Sequence, residues 1–403
     1  MKKVISARIF DILLSYAIII YLGRFESPEI LGIYVVVASY TALMSQLLQL
    51  GSANAILSDF KGRESFIYLN SYLLKKRSKI YFIYSATCIS FAIFSLTIWS
   101  ALPNELYLLT VLGFIAAFGT ASLTAFTSIL RASNQVELAT TIDSLGKNAL
   151  PSIFIIATLA NLFEFNLLAL FCLQLANLLI AIIYSFSKIK SSKSIMSIKR
   201  QFESDRKFYD AVVKLGVVGF LFAGLRQVDT ILVAHYLGTA FAGMYRVSML
   251  PSLIGFLLYG SFVSIAMPRF NNFISYTEYM NRYYGKIVKT SMVVLLIIIL
   301  LYILLAKKIY LHFFRIENDE VFISGAIALV APFTTFFFKF AYEYFLMMRK
   351  TKEMVIILGG AFLIQSILFT FIGENLSIVQ ASIIVWANYI ITNFFLYRKL
   401  IHQ

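Results

Sequence analysis

Apolar runs of roughly 20 or more residues, separated by short polar segments, recur from one end of the chain to the other. At about 1.5 Å per helical residue, a run of that length matches the roughly 30 Å hydrocarbon core of a bilayer. The pattern predicts twelve spanning helices, at 4–23, 30–57, 80–101, 106–130, 138–162, 165–187, 211–236, 242–266, 287–306, 321–348, 353–373 and 376–397. Several carry polar residues and depend on shelter from their neighbours, among them 4–23 and 138–162, which contain charges. The spans divide six and six about a charged, Ser/Lys-rich stretch at 188–210. The expected fold class is an all-α polytopic membrane protein. A six-helix bundle at 1–187 and another at 211–403 are joined by a basic cytoplasmic linker at 188–210. That linker reads as solvated, with a helix lying on the anionic inner leaflet as the alternative.

A motif recurs in the two halves. Arg8-x-x-Asp11, Tyr21-Leu22-Gly23 and Gly32-x-Tyr34 return in the same order as Arg226-x-x-Asp229, Tyr236-Leu237-Gly238 and Gly243-x-Tyr245. The offsets are 218, 215 and 211 residues, so only small insertions separate the copies. A repeat of half the chain inside a hydrophobic protein is a transporter plan, with two related bundles and a site at the repeat interface. It makes the two bundles pseudo-symmetric.

Composition sharpens the class. Of 403 residues, 60% are hydrophobic and 14% charged, with a mean hydropathy of +0.82. Soluble domains carry about 25% charged residues, so lipid is the main solvent. The net charge of +15 would suit a nucleic-acid binder, but the basic residues are dispersed among apolar segments, and no nucleic-acid partner is expected. With the amino terminus inside, the inner segments hold 25 Lys and Arg residues. The outer loops hold 4, namely Arg24, Lys307, Lys308 and Arg315. This is the positive-inside signature, and it predicts both termini in the cytoplasm. The opening MKKVISARIFDILL is basic like a signal peptide. It has no small-x-small cleavage site, and Arg8 and Asp11 interrupt its apolar run, so it reads as a retained first span. Cys88 and Cys172 both fall in apolar runs, and neither a disulfide nor a metal site is expected.

Charges inside spans single out the candidate site. Each costs roughly 2.5–3.5 kcal/mol at the bilayer centre on insertion scales, so such residues face a bundle interior or a wet cavity. Lys147 and Lys339 fall in the inner halves of their spans, Arg226 near the middle and Arg246 towards the outer edge. These four make a ladder of cations suited to an anionic head group moving outward, and they are the candidate substrate contacts. Asp229, Asp143 and Glu343 are the deepest carboxylates and the candidates for ion coupling. Arg8 and Asp11 are the repeat counterparts of Arg226 and Asp229. A plainer reading stands beside this one. Asp143–Lys147 and Lys339–Glu343 are i,i+4 pairs and Arg226–Asp229 is i,i+3, so each could neutralise itself on one helix face. Arg246 could snorkel to the outer interface.

Gln46, Gln49, Asn54, Gln174, Asn177, Asn388 and Asn393 also sit in spans. Helix–helix hydrogen bonding is the default for them, and lining a hydrated sugar path is the sharper alternative. The chain has no Gly-rich phosphate loop, no His-rich ligand set and no nucleophile elbow. His235, His312 and His402 lie at a span end, in a loop and at the terminus. Nothing argues for ATP hydrolysis, covalent catalysis or a bound cofactor. Coupling to protons or sodium is the open ionic requirement.

These residues resemble a known family. Tyr21-Leu22-Gly23, Ser27-Pro28-Glu29, Leu31-Gly32-Ile33-Tyr34 and Leu50-Gly51 are similar to the start of polysaccharide flippases. Those flippases form the Wzx-like branch of the multidrug/oligosaccharidyl-lipid/polysaccharide exporter superfamily. Asp229, Tyr236-Leu237-Gly238 and Gly243-Met244-Tyr245 resemble the start of that family's second half. The resemblance implies a V-shaped pair of six-helix bundles and alternating access. It also implies export of undecaprenyl-pyrophosphate-linked oligosaccharide, such as O-antigen units, across a bacterial inner membrane. The implied partners are that lipid-linked substrate, membrane lipids and other polysaccharide-assembly membrane proteins. Lys147, Arg226, Arg246 and Lys339 are cavity candidates by depth and charge, not by a matched motif.

Two other functions compete. A membrane polysaccharide polymerase or ligase would share the spans and aromatics but carries a large catalytic outer loop, and the longest here is about 307–320. A cation-coupled drug antiporter of the same superfamily takes cationic substrates, which suit acidic cavity residues better than a basic ladder.

Overall fold

In lipid, each backbone N–H and C=O must find its partner inside the protein, so an apolar run of this length closes into a helix. The computed structural model describes residues 2–49, 53, 104–132, 135–191, 205–252, 255–256, 259, 285–338, 341–347 and 350–401. Among them the elements in order are α1 (Lys2–Phe25), α2 (Pro28–Gln49), α3 (Asn104–Ala132), α4 (Val136–Leu159), α5 (Leu167–Ser191) and α6 (Asp205–Leu237). There follow α7 (Thr239–Ser248), α8 (Gly285–Phe314), α9 (Asp319–Phe337), α10 (Ala341–Met347), α11 (Thr351–Ile372), a 3-10 turn (Gly373–Asn375) and α12 (Ile378–Ile401). Seven described helices are long and apolar enough to cross a membrane, in α2, α3, α5, α6, α8, α11 and α12. The charged runs at 4–23 and 138–162 are helical too, as α1 and α4. The predicted span 80–101 lies outside the described residues.

Element edges differ from the sequence expectation in three places. The expected outer loop at 307–320 is largely helix, because α8 continues through Tyr310, Leu311, Phe313 and Phe314, with irregular backbone only at 315–318. Arg315, at φ 55°, stops it in the left-handed region. The single span 321–348 is two helices, α9 and α10. The linker 188–210 is eaten into from both ends by α5 and α6, and 192–204 lies outside the described residues.

The chain forms two compact units. The amino-terminal unit holds Lys2–Ile18 and Val37–Phe220, and the carboxy-terminal unit holds Ile19–Val36 and Leu221–Gln403. The short α1–α2 hairpin around residues 19–36 thus belongs with the second half of the chain.

In the amino-terminal unit, α3, α4 and α5 pack pairwise. Small residues allow the approach: a Cβ on Gly146 would lie 2.6 Å from the Ala181 Cβ. Polar side chains tie the helices, as expected where lipid offers no partner. Thr41 donates to the Gly113 carbonyl at 3.1 Å, and Asn177 to the Leu145 carbonyl at 2.7 Å. Asn148 on α4 donates to Asp11 Oδ1 at 3.1 Å and to Ser15 at 2.9 Å on α1.

In the carboxy-terminal unit the two repeat copies meet. At the 211-residue offset, Gly243 is the counterpart of Gly32, and Thr239 that of Pro28. A Cβ on Gly32 would fall far inside contact with the Thr239 carbonyl, and one on Gly243 would lie 2.8 Å from the Pro28 carbonyl and 3.0 Å from the Gly32 nitrogen. Each copy therefore sets its glycine against the first-turn carbonyl of the other, a reciprocal crossing of α2 and α7. The change of offset from 215 to 211 also has a structural reason. Gly238, at φ 96°, makes the whole turn between α6 and α7, whereas α1 runs on to Phe25 and needs two more residues before α2. A positive φ is cheap only for glycine.

Around this crossing, α9 packs on α7, α8 and α12, while α11 packs on α12. Asn388 on α12 donates to the Ala361 carbonyl at 2.7 Å and to Gln365 at 3.3 Å, and Gln365 donates to the Leu225 carbonyl of α6 at 3.3 Å. Asn177 and Asn388 thus join helices, while Asn393 donates back to the Tyr389 carbonyl on its own helix. Asn54 lies outside the described residues.

Candidate functional site

The single-glycine turn folds α7 back along α6. Arg226 lies twelve residues before Gly238 and Arg246 eight after it, so both arginines descend roughly 12–18 Å from the turn. α12 brings Val385, Trp386 and Tyr389 to the same level. Together with Leu225, Gln227, Asp229, Met249, Ser252 and Phe256 these residues line a cavity of about 40 Å³ wholly within the carboxy-terminal unit. Three of the expected site residues, Arg226, Arg246 and Asp229, therefore share one site.

Arg226 and Asp229 do not neutralise each other. The Asp229 Oδ2 accepts from the Tyr245 hydroxyl at 2.7 Å. Its Oδ1 accepts from the Thr230 N–H at 2.8 Å and the Thr230 hydroxyl at 3.4 Å. The Arg226 guanidinium instead lies over aromatic faces, 4.2 Å from the Phe256 ring centre and 5.9 Å from that of Phe222. Phe222 in turn stacks on Tyr342 at 4.2 Å. A cation over a desolvated ring gains on the order of 2 kcal/mol. Among the described residues, neither Arg226 nor Arg246 makes an ion pair or donates a hydrogen bond to the protein. Three further polar groups on the wall are engaged within the protein, whereas the Gln227 amide has no partner among the described residues. The Trp386 indole N–H meets the Met249 sulfur at 3.2 Å, the Ser252 hydroxyl the Met249 carbonyl at 2.7 Å, and Tyr389 the Thr335 hydroxyl at 3.1 Å.

Asp143, Lys147, Glu343 and Asp11 are not among the residues that line this cavity. Lys147 pairs with Asp143 at 2.7 Å, and Arg131 from α3 joins the same carboxylate at 3.1 Å. Here the i,i+4 reading of Asp143–Lys147 holds, extended by a second cation. Glu343 is buried on α10, and its Oε2 has no hydrogen-bond partner among the described residues. Asp11, the counterpart of Asp229, is tied to Asn148. Lys339 and the side chain of Arg8 lie outside the described residues.

Sequence reasoning missed the cavity's aromatic wall and the part played by Tyr245. Trp386, Tyr389 and Phe256 carry no local signal that distinguishes them among 38 Phe and 24 Tyr. Tyr245 did carry one, since it is the third piece of the repeated motif.

No protein-family model matches the chain, and no curated protein matches it. Solved structures do. A crystal structure of MATE in complex with MaL6 matches with a TM-score of 0.68 and 14% identity, over 99% of this chain and 94% of that one. The outward-facing conformation of a multidrug resistance MATE family transporter of the MOP superfamily matches with a TM-score of 0.68 and 14% identity, over 98% and 92%. An inward-facing conformation of such a transporter gives 0.63 and 13%, over 96% and 92%. At these identities the likeness is one of fold. This chain has the helical fold of those transporters.

Proposed function

We propose that the chain is a multi-pass exporter of a bacterial inner membrane, working by alternating access on lipid-linked oligosaccharide with an anionic head group. The fold likeness to transporters supports export. The observation that carries the substrate class is the cavity itself, where two guanidinium groups have no acceptor among the described residues and the carboxylate on the wall is already held by Tyr245 and Thr230. Guanidinium groups grip phosphate oxygens in a bidentate way. A cavity of about 40 Å³ admits a few water-sized groups, enough for phosphate oxygens and not for a sugar ring. The substrate would be an undecaprenyl-pyrophosphate-linked unit for O-antigen or another surface polysaccharide. Its partners would be membrane lipids and neighbouring assembly proteins, and both termini would face the cytoplasm.

A second reading has its own support. The matched structures include a multidrug resistance MATE family transporter, which favours a cation-coupled drug antiporter. Its expected mark is an acidic cavity, and the buried carboxylate that would serve it best is Glu343. Deletion of the gene separates the two. Lipid-linked units trapped on the inner leaflet establish the flippase. Drug sensitivity with normal lipids establishes the antiporter and overturns the proposal.

A further inference from the structure

We propose that the cavity between Arg226 and Arg246 is a binding site for a halide ion. Four observations carry this. The cavity is lined by two cations and one anion, Arg226, Arg246 and Asp229, so its walls carry a net positive charge. Both oxygens of the only carboxylate are engaged by Tyr245 and Thr230. Each guanidinium has five N–H donors, and among the described residues none of them meets a protein acceptor. Like charges sharing a low-dielectric wall repel, and one anion between them relieves the repulsion and accepts those hydrogen bonds.

Size and wall chemistry select a halide. A volume of about 40 Å³ holds a chloride or bromide ion with a water or two. Ser252 and Trp386 donate to Met249 and Tyr389 shares a hydrogen bond with Thr335, so the donors left on the wall are the two guanidinium groups and the Gln227 amide. The rest of the wall is Leu225, Met249, Phe256 and Val385, surfaces that suit a weakly hydrated sphere. The site stands whichever substrate is exported. On the lipid-linked reading, a phosphate of the head group would compete with the halide for the same donors.

Trp386 makes the test direct. It borders the cavity, is only 6% exposed, and is one of two tryptophans in the chain. The full-length Trp99→Phe protein therefore reports on Trp386 alone. A bound bromide should quench this fluorescence with a saturating dose curve at constant ionic strength in gluconate. Chloride should compete for the same site. Arg226→Gln and Arg246→Gln in that background should each raise the half-saturating bromide concentration at least tenfold, with melting curves confirming that each is folded. If one does not fold, the other decides. Quenching that rises linearly without saturation, equal half-saturation in the folded variants, or displacement by phosphate but not chloride overturns the halide site. None of these outcomes bears on whether deletion traps lipid-linked units, so the two proposals fail separately.

Discussion

At the scale of single residues, Asp229 decides how Arg226 is to be understood. An i,i+3 spacing puts the two within reach on one helix, yet Tyr245, arriving from the next helix through the Gly238 turn, takes the carboxylate first. Spacing along a helix was legible in the sequence; the competing hydroxyl was not, because only the fold brings it there. Arg226→Ala should therefore cut export by about 10²-fold, the effect of losing one positioned charge-stabilising donor, with the protein still inserted. Arg226→Lys should recover part of it. The double change Arg226→Ala with Asp229→Ala should not restore export, as surface polysaccharide and protein level will show; restoration would make Arg226 a mere counter-charge. Tyr245→Phe strips a buried carboxylate of one partner and should lower stability by about 1–3 kcal/mol, read in thermal unfolding. Among the three candidate coupling carboxylates, Asp143 has two cations and Asp229 three hydrogen bonds, whereas Glu343 Oε2 has no partner among the described residues. If export is proton-coupled, Glu343→Gln should remove its dependence on a pH gradient in vesicles, and Asp143→Asn should leave that dependence in place.

At the scale of elements, hydrophobic run length located helices well, because bilayer thickness and backbone satisfaction leave the chain no other structure. Where elements stop was less legible. Lys307 and Lys308 look like a loop, but lysine stems lie along apolar surface while their charges reach water, so α8 carries them within its last turns. The repeat was legible as a sequence of small and aromatic residues; that its two glycines meet each other was not. Gly32→Ala drives a methyl group into a main-chain carbonyl and should cost on the order of 1–3 kcal/mol. Gly360 on α11 has open space around its missing Cβ, so Gly360→Ala should be neutral or stabilising by up to about 1 kcal/mol through helix propensity. Comparing the melting temperatures of the two variants checks the crossing against a helical glycine of the same chain.

For the whole molecule, the 25-to-4 division of basic residues predicts that reporter fusions after Lys199 and at Gln403 are cytoplasmic, and fusions at Gly238 and Asn318 external. An external reporter after Lys199 would overturn the arrangement. The fold class was legible from hydropathy and the repeat together, whereas the proposed substrate class rests on the few side chains of one cavity. The reciprocal crossing has a genetic consequence. The atom that blocks a larger residue at position 32 is the carbonyl of Thr239, and for position 243 it is that of Pro28. Every amino acid carries that carbonyl, so no exchange at 239 can make room for a methyl group at 32. In a screen for suppressors of Gly32→Ala, the survivors should be true revertants or changes in the length of the adjoining turns. Substitutions at the contacting partner should not be found among them. The α1–α2 hairpin and the α6–α7 turn are thus held together by main chain alone, which mutation can lengthen or shorten but cannot substitute.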